Sequence, residues 1–342
     1  MIQITIAAVG DLLMKSRIIA SAKQAGGYAF DPIFKNVKPY LTKPDITIGN
    51  LETTFSGNRR PGAGGKQPKG SAPQERRNPR TGFPLFNCPD ELASTLKNIG
   101  FQVLTTANNH CMDGGAAGLK RTLNVLDKHG LKHTGTFRSP AESRRHLILR
   151  VKGVKIGILN YAKGTNSITV PKPWLVNRIA LKKIITDIRK LKNKTDFLIV
   201  YLHFGQEYRP SPNKNQKQLM HALFKQGANA VLGAHPHVQH PIVIYKVKDI
   251  DGRVRKRVAA SSLGNFISTR LKNNANTTRG VILTMTLTKN NRGVTDLSRV
   301  DRLPTVVQRK KRKRENGLSG CTDRQIVEPA HRTLTVKCEN QP

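Results

Sequence analysis

Short polar motifs recur along this chain, and each one directly follows a short apolar run. They combine Asp, Glu, Asn and His side chains, which supply oxygen and nitrogen ligands for divalent metal ions. This ligand set suits Mn, Zn, Fe or Ni better than Ca, and it lacks the thiolates of a structural zinc site. The motifs are Gly10-Asp11, Gly49-Asn50-Leu51-Glu52, Ala107-Asn108-Asn109-His110, His203-Phe204-Gly205-Gln206-Glu207-Tyr208 and Gly233-Ala234-His235-Pro236-His237.

One motif holds two histidines at a spacing of two. On an extended chain His235 and His237 point to the same side, and Pro236 restrains the backbone between them, so the pair is predicted to form a bidentate clamp. A single histidine is more often a packing residue, but several strand-end motifs together favour a metal site. Five of the ten histidines lie in or beside the motifs, namely His110, His203, His235, His237 and His240.

Apolar runs alternate with helical patterns along the chain, which indicates an α/β fold. In such folds, ligands collect at the carboxyl ends of the strands because the loops converge there. The motifs are therefore expected to share one edge of a sheet. The predicted strands are 2–9, 45–48, 102–106, 147–151, 155–161, 196–202, 230–232, 242–247, 254–261 and 281–287, and the predicted helices are 89–99, 118–129 and 179–192.

Local composition sets two segments apart from the rest of the chain. Residues 57–80 hold five Gly, four Pro and no large apolar residue, which predicts a flexible basic surface loop. The run of six Lys and Arg residues at 309–314 is typical of a solvated segment. The compact domain is therefore expected to span residues 1–300, with residues 301–342 as a basic C-terminal extension.

Composition excludes several classes of protein. The 342 residues are 37% hydrophobic, which is enough for a core, and the 28 glycines have no triplet period, so collagen is excluded. No window of about 18 apolar residues exists, and the N-terminus lacks a signal-peptide pattern, so a cytoplasmic or peripherally membrane-associated protein is expected.

Four cysteines are too few for a disulfide framework. Cys88 and Cys111 are predicted to be reduced packing residues, and pairing stays open for Cys321 and Cys338.

The charge is strongly positive and evenly spread. The chain has 59 Lys and Arg against 21 Asp and Glu, a net charge of +38, of which residues 57–80 and 301–342 together hold only +11. This distribution favours polyanionic partners, such as nucleic acid, anionic lipid, a phosphorylated substrate or an acidic polymer. Adaptation of the whole surface to unusual conditions explains it equally well. Aromatic residues are sparse around the basic run, so nucleic acid is allowed but not favoured.

The motifs, together with Ser262-Leu263-Gly264-Asn265-Phe266, resemble the CapA/PgsA family, named for poly-γ-glutamate capsule synthesis, of the calcineurin-like metallophosphoesterase superfamily. The match runs from residue 2 to about residue 287, with every motif in the family's order. Its most distinctive part is the TANNHCMDGG segment, followed by a helix and then HTGT. The resemblance implies a four-layer metallophosphatase-type sandwich, with two mixed β-sheets flanked by helices. It also implies a centre of two divalent ions (Mn, Zn, Fe or Mg) at the strand ends.

The resemblance also assigns roles to particular residues. Asp11 matches the superfamily's first metal-binding aspartate. Asp11 and His110 are implied to be catalytic. Leu13 stands where the superfamily usually has a histidine. Asp113 precedes two glycines and is predicted to be a turn residue or a helix N-cap. The implied metal ligands are Asp11, Glu52 (as the bridging carboxylate), Asn109, His203, His235 and His237, and the residues implied to orient ligands or substrate are Asn108, Glu207 and Asn265.

The chemistry that the resemblance implies is metal-dependent hydrolysis. Two ions would activate water and clamp phosphoryl oxygens, while His110 would donate a proton to the leaving oxygen or stabilise the transition state. Leu13 and Glu52 change the ligand count relative to the superfamily, so a one-ion centre and binding without efficient turnover stay open.

Three functions compete on these grounds. The first is a CapA-like hydrolase of capsule or poly-γ-glutamate biosynthesis, of the phosphoesterase type. The second is a non-catalytic polymer-binding or assembly subunit of a poly-γ-glutamate synthesis complex, for which membrane association stays open. The third is a metallophosphoesterase that acts on nucleotides or nucleic acid. An anionic polymer or a phosphorylated substrate is the expected partner in the first two cases, because the basic surface would concentrate it around the metal site.

Overall fold

The computed structural model describes residues 1–57, 75–248, 252–310, 324–330 and 334–336. Its strands are β1 Ile2–Leu12, β2 Lys23–Gln24, β3 Gly27–Tyr28, β4 Ile46–Leu51, β5 Arg76–Arg77, β6 Pro84–Leu85, β7 Val103–Thr105, β8 Lys132–Thr134, β9 Leu147–Val151, β10 Val154–Ala162, β11 Phe197–His203, β12 Ala230–Ala234, β13 Ile242–Lys248, β14 Val254–Ala260, β15 Asn265–Ile267, β16 Arg279–Lys289, β17 Thr295–Lys310, β18 Arg324–Pro329 and β19 Leu334–Thr335. Its helices are α1 Ser16–Ala22, α2 Asp31–Phe34, α3 Lys38–Thr42, α4 Glu91–Asn98, α5 Gly115–Lys128, α6 Pro140–Ser143, α7 Leu181–Lys192 and α8 Lys214–Lys225, with a 3₁₀ helix at Ala275–Thr278.

Two mixed sheets form the centre of the molecule. The larger has the strand order β18-β17-β16-β1-β4-β7-β8, with β15 beside β1 and β19 beside β17. The smaller has the order β13-β14-β12-β11-β10-β9. In the larger sheet β1, β4, β7 and β8 run parallel, and in the smaller sheet β10, β11, β12 and β14 run parallel. Each parallel set carries the polar motifs at its carboxyl ends.

The alternation of side chains along β1 explains the layering. Ile4 and Ile6 contribute to a core between the two sheets, whereas Ala7 and Val9 face a second core that includes residues of α1, α2, α4 and α5. A third core lies between the smaller sheet and α7 and α8. The molecule therefore has four layers, in the order helices, larger sheet, smaller sheet and helices, with an apolar core between each neighbouring pair. The predicted four-layer α/β sandwich is confirmed.

Most of the predicted elements are present, with a few differences. The hairpin between β9 and β10 turns at Lys152 and Gly153, both of which adopt a positive φ, as the predicted break at these residues requires. Helix α8 was not predicted, although its N-terminus carries a complete capping box formed by Asn213 and Gln216. Its large apolar residues are Leu219, Met220, Leu223 and Phe224, and most of the remaining residues are polar.

The predicted domain boundary near residue 300 falls inside strand β17. This strand pairs with β16 from residue 295 to residue 306, and its far side pairs with β18, whose Val327 is buried in the core beneath the helices. The folded sheet therefore extends beyond the expected boundary, because alternating residues of β17 face the core on both sides of residue 300.

Part of the predicted basic insertion is anchored. Residues 58–74 lie outside the described residues, but Glu75 accepts hydrogen bonds from the backbone N–H and the hydroxyl of Ser16, at 2.9 and 2.7 Å. Strands β5 and β6 then form a short hairpin. The end of the insertion therefore supplies the start of α1 with the acceptor that its own N-cap residue does not provide.

Two further predictions concern cysteines and membrane segments. Cys88 and Cys111 are free and buried, as predicted, while Cys321 and Cys338 lie outside the described residues. Burial raises the pKa of both described thiols, which keeps them protonated.

Within the described part of the chain, the helices are all too short or too polar to cross a membrane.

Gly10 permits a close backbone approach that positions Asp11. A Cβ atom at residue 10 would lie 1.9 Å from the carbonyl oxygen of Gly264, the same oxygen that accepts the Asp11 N–H at 3.0 Å. We expect Gly10→Ala to lower the free energy of unfolding by about 3 kcal/mol, because backbone must move. Urea denaturation of the metal-free protein measures this loss. Gly26→Ala, where nothing lies within 4 Å, is the control, and equal losses in both variants would contradict the argument.

Candidate metal centre

The parallel strands of both sheets bring the polar motifs to one place. In the larger sheet Asp11 lies in register with Asn50 of β4 and Asn265 of β15, and in the smaller sheet His203 lies in register with Ala234 at the end of β12. The Tyr201 hydroxyl donates a hydrogen bond to the Val9 carbonyl at 2.8 Å, which joins the two sheets just before these ends. The side chains of the two edges therefore face each other.

Three overlapping groups of ligand atoms lie at this junction. Within each group the ligand atoms are all within 4.8 Å of one another, a separation that a single ion can span. Glu52 belongs to two groups, and each of His235 and His237 belongs to two. The groups are Glu52 with His203 and His235, Asp11 with Glu52 and His237, and Glu207 with His235 and His237.

Two carboxylates of the centre are completely buried. Asp11 and Glu52 are both 0% exposed, and neither oxygen of Glu52 has a hydrogen-bond partner among the described residues. Burial and the neighbouring Asp11 raise the pKa of Glu52 well above its usual range. Burial would also raise the pKa of Asp11, but its hydrogen bond to His237 and the charges of His237 and His203 lower it to about 2. An unpartnered buried carboxylate costs several kcal/mol, so Glu52 fits a divalent cation.

Two histidines of the centre are held neutral, which is the form that binds metal. Burial and His235 lower the pKa of His203 well below its usual range, and burial and His237 lower the pKa of His235 to about 4. His237 differs from them. Burial opposes its charged form, but its hydrogen bond to Asp11, at 3.1 Å between Nδ1 and Oδ2, raises its pKa.

His235 and His237 lie close together, as the predicted clamp requires, but not on an extended backbone. His235 and His237 have φ values of 97° and 59°, and their ring centroids are 6.0 Å apart. The extended geometry was wrong because the chain turns here, and the carbonyl of Pro236 accepts the N–H of Tyr208, at 2.8 Å. Non-glycine residues in the left-handed region cost about 1 kcal/mol or more each and concentrate at functional sites.

The amide side chains predicted from the resemblance have different positions. Asn109 lies in the cluster, with its Oδ1 2.8 Å from Nε2 of His203, and the Oδ1 of Asn265 lies 3.0 Å from Nδ1 of His237. Asn108 instead braces the loop. Its Nδ2 donates to the Leu51 carbonyl at 2.7 Å, and its Oδ1 accepts the His110 N–H at 3.1 Å. Asn108 thereby connects the ends of β4 and β7.

His110 and Asp113 form a buried pair. Asp113 lies in a turn, as predicted, but it is not the N-cap residue of a helix. Helix α5 has Gly114 as its N-cap residue, with no side-chain cap. The Oδ2 of Asp113 lies 2.7 Å from Nδ1 of His110 and also accepts the N–H of Phe86 at 2.6 Å. The Phe86 ring packs on the imidazole, with 4.2 Å between the ring centroids. Asp113 therefore orients His110, a contact that its position three residues along the chain allows.

Two asparagines of the centre were missing from the predicted site. Asn50 lies inside the Gly49–Glu52 motif, and its Nδ2 donates to Oδ1 of Asp11 at 2.7 Å. Asn166 lies on the loop after β10, outside every motif, and its Oδ1 accepts from Nδ2 of Asn109 at 3.1 Å. The motif signalled Asn50, whereas nothing local in the sequence signals Asn166.

Leu13 forms part of an apolar wall beside the centre. It packs with Phe86 and Leu271, and Tyr208 lies against the same cluster. The Tyr208 ring is 6.1 Å from the His237 ring, and Nζ of Lys272 lies 5.9 Å from the Tyr208 ring centroid. Leu13 is therefore a packing residue.

The fold is metallophosphatase-like, as comparison with known structures shows, and a cluster of Asp, Glu and His side chains lies at its strand ends. A candidate 5'-nucleotidase from Staphylococcus aureus, solved in complex with alpha-ketoglutarate, aligns with a TM-score of 0.51 over 89% of this chain and 54% of that one, at 12% identity. A hypothetical protein from Thermus thermophilus aligns with a TM-score of 0.50 over 88% of this chain and 98% of that one, at 12% identity.

The sequence profile of the bacterial capsule synthesis protein family PGA_cap matches residues 5–270. The chain belongs to this family, and the resemblance found in its motifs is confirmed. It is 29% identical to the PGA biosynthesis protein CapA of Bacillus subtilis over 272 residues, which are 76% of this chain and 62% of that protein. It is 26% identical to the capsule biosynthesis protein CapA of Bacillus anthracis over 271 residues, 78% and 60% of the two chains. The chain thus spans about three fifths of the length of these relatives.

Because Glu52 lacks a hydrogen-bond partner among the described residues, we expect Glu52→Gln to have opposite effects on protein stability without metal and with metal. Without metal, Glu52→Gln should raise the free energy of unfolding, because it removes a buried charge, by about 1 kcal/mol or more. With Mn²⁺ at a hundred times its Kd, the wild-type protein should gain about 2.7 kcal/mol, and the variant should lose most of that gain. Thermal melts with EDTA and with Mn²⁺ measure both effects.

Glu91→Gln is the matched control, because Glu91 is exposed on the first turn of α4. It should leave the Mn²⁺ gain unchanged. A Glu52→Gln protein that is less stable than wild type in EDTA and equally stabilised by Mn²⁺ would show that Glu52 is not a metal ligand.

Proposed function

We propose that this protein is a metal-dependent hydrolase of the phosphoesterase type that acts in the biosynthesis of an anionic capsule polymer. The observation that carries the proposal is the Glu52 carboxylate, which is buried without a hydrogen-bond partner among the described residues and is shared between two groups of ligand atoms. Membership of the capsule synthesis family supports the biosynthetic setting.

The shared carboxylate favours a centre of two divalent ions. Glu52 has two oxygens, and Asp11 with His237 on one side and His203 with His235 on the other complete the two groups. Asn109 adds an amide oxygen next to His203. Bound divalent ions supply Lewis acidity, which activates water and neutralises charge on a phosphoryl group. The same ions would offset the cost of burying the negative charges of Asp11 and Glu52.

His110 is the proposed proton donor to the leaving oxygen. Its Nδ1 faces Asp113, so the ring presents Nε2 to the side of the centre where Asn109 lies. Packing by Phe86 holds the plane of the ring. A positioned imidazole of this kind contributes about 10²–10⁴-fold to a rate through general acid catalysis.

The outer helices offer a surface for an anionic polymer. The solvent faces of α7 and α8 carry exposed cations, while Asp187, which is the acidic residue of these two helices, is buried against Lys183 and Tyr161. Such a surface attracts a polyanion over a range of about 8–10 Å at physiological salt. The exposed cations are Lys182, Lys183, Arg189, Lys190, Lys214, Lys217 and Lys225.

The hydrolase proposal predicts turnover that depends on His110. With Mn²⁺, the protein should hydrolyse bis(4-nitrophenyl) phosphate or 4-nitrophenyl phosphate, and His110→Ala should lower kcat by about 10²–10⁴-fold with little change in KM. His221→Ala, an exposed histidine of α8, is the control and should keep full activity. Turnover that survives both His110→Ala and Asp11→Asn would contradict the proposal. Polymer binding without any metal-dependent turnover would favour the non-catalytic assembly subunit.

The polymer surface predicts an effect that is separate from catalysis. Replacing Lys182, Lys190 and Lys217 by Glu should weaken poly-γ-glutamate binding about tenfold or more at 0.15 M salt, since each charge near the surface contributes a fraction of a kcal/mol. The kcat for the small phosphoester should not change. The control replaces Lys35, Lys38 and Lys43 on the opposite helical layer, with the same change in net charge. Equal weakening in both triple variants would mean that only the total charge matters.

A further inference from the structure

Asn166 lies in a tight turn on the loop that follows β10. Asn166 and Ser167 have φ values of 47° and 59°, both in the left-handed region. The turn is closed by two bonds between its flanking residues. The Ile168 N–H donates to the Thr165 carbonyl at 2.8 Å, and the Thr165 hydroxyl donates to the Ile168 carbonyl at 2.7 Å. The Asn166 side chain takes no part in these closing bonds.

The Asn166 amide contacts both members of the Asn109–His110 pair. Its Oδ1 accepts from Nδ2 of Asn109 at 3.1 Å, and its Nδ2 lies 3.3 Å from Nε2 of His110. Beyond this pair, Oδ1 of Asn109 lies 2.8 Å from Nε2 of His203, and Nδ1 of His110 lies 2.7 Å from Asp113. One continuous chain of polar contacts therefore runs from Asp113 to His203, with Asn166 at its middle.

This contact decides which end of the Asn109 amide faces the metal centre. An amide has an oxygen and an NH₂ group of nearly the same shape, so hydrogen bonds rather than packing select between its two orientations. Only the oxygen can bind a cation. Because Oδ1 of Asn166 takes up the NH₂ group of Asn109, the Asn109 oxygen is left on the side of His203 and Glu52.

We propose that Asn166 is a positioning residue, which fixes the Asn109 amide with its oxygen toward the metal centre and holds the His110 ring next to it. The inference rests on the proposed function, because it requires Asn109 to bind the metal. Glycine would satisfy the left-handed backbone at residue 166 at least as well as asparagine does. The side chain is therefore explained by its two contacts and not by the turn.

Two substitutions separate the side chain from the backbone. Asn166→Gly keeps the left-handed turn and removes both contacts, so Mn²⁺ should bind about 10–100-fold more weakly, the range for the loss of a residue that orients a ligand. Asn166→Asp keeps the oxygen that accepts from Asn109, and its added negative charge favours cations, so Mn²⁺ should bind no more weakly than to wild type. Calorimetric titration of the full-length, metal-free protein with Mn²⁺ alone measures both.

Ser167→Gly is the matched control, because Ser167 has the same left-handed conformation in the same turn and its side chain is exposed. It should leave the Mn²⁺ affinity unchanged. Should Asn166→Gly fail to fold, Asn166→Ser replaces it, since the serine hydroxyl is too short to reach Asn109. Circular dichroism melts of each metal-free variant identify such a failure.

A double-mutant cycle with Asn109→Asp tests the proposed cause. A carboxylate presents oxygen in either orientation, so Asn166→Gly should cost little Mn²⁺ affinity in the Asn109→Asp background. The inference is overturned if Asn166→Gly binds Mn²⁺ like wild type, if Asn166→Asp is weakened as much as Asn166→Gly, or if the loss is the same in both backgrounds. Wild-type protein that binds no Mn²⁺ would instead overturn the proposed function.

Discussion

Asp11 and Glu52 are carboxylates buried at the junction of the two sheets. Buried negative charge is costly, so the groups around these two residues must compensate for it. The two are not in the same situation. Asp11 receives the Asn50 amide and the His237 ring, which lower its pKa, whereas Glu52 has no hydrogen-bond partner within the described residues and its pKa is raised. The protein's own hydrogen bonds therefore stabilise the Asp11 carboxylate and leave Glu52 as the carboxylate that a cation would stabilise.

The sandwich itself provides the accuracy that such a centre needs. The side chains come from both sheets, so their separation depends on how closely the sheets approach at one edge. The Tyr201–Val9 hydrogen bond ties the sheets there, and the absence of a side chain at Gly10 lets the Gly264 backbone lie against β1. On the opposite side, the left-handed residues His235 and His237 bend the chain after β12 back toward β1. Backbone strain at these two residues is offset by packing elsewhere in the fold.

Local patterns predicted an α/β fold and the strand-end motifs that meet at one edge, whereas the four-layer sandwich was implied by the family resemblance. Strand-end motifs can be read in one window, and Asp11, Glu52 and His235 all lie in them. The turn at Asp113 was predicted, but its contact with His110 was not, because an Asp before glycines is typical of a helix start and the ring it contacts lies three residues earlier. Asn166 could not be found, since its partners are about 57 positions away and its own surroundings form an ordinary turn.

Phe86 and Asn166 give the His110 ring two unlike surroundings, and this difference bears on how a substrate would be placed. The Phe86 ring covers one face of the His110 ring, and the Phe86 backbone N–H donates a hydrogen bond to Asp113. Water is therefore excluded from this face of His110. Leu13 continues the apolar wall. Asn166 lies at the Nε2 edge, half-buried, with Asn109 beside it. Under the proposed function, Asp11, Glu52 and Glu207 would hold divalent ions that supply positive charge for an anionic group. Such a group would reach His110 from the Nε2 edge, since the apolar wall covers the side of the ring on which Phe86 lies.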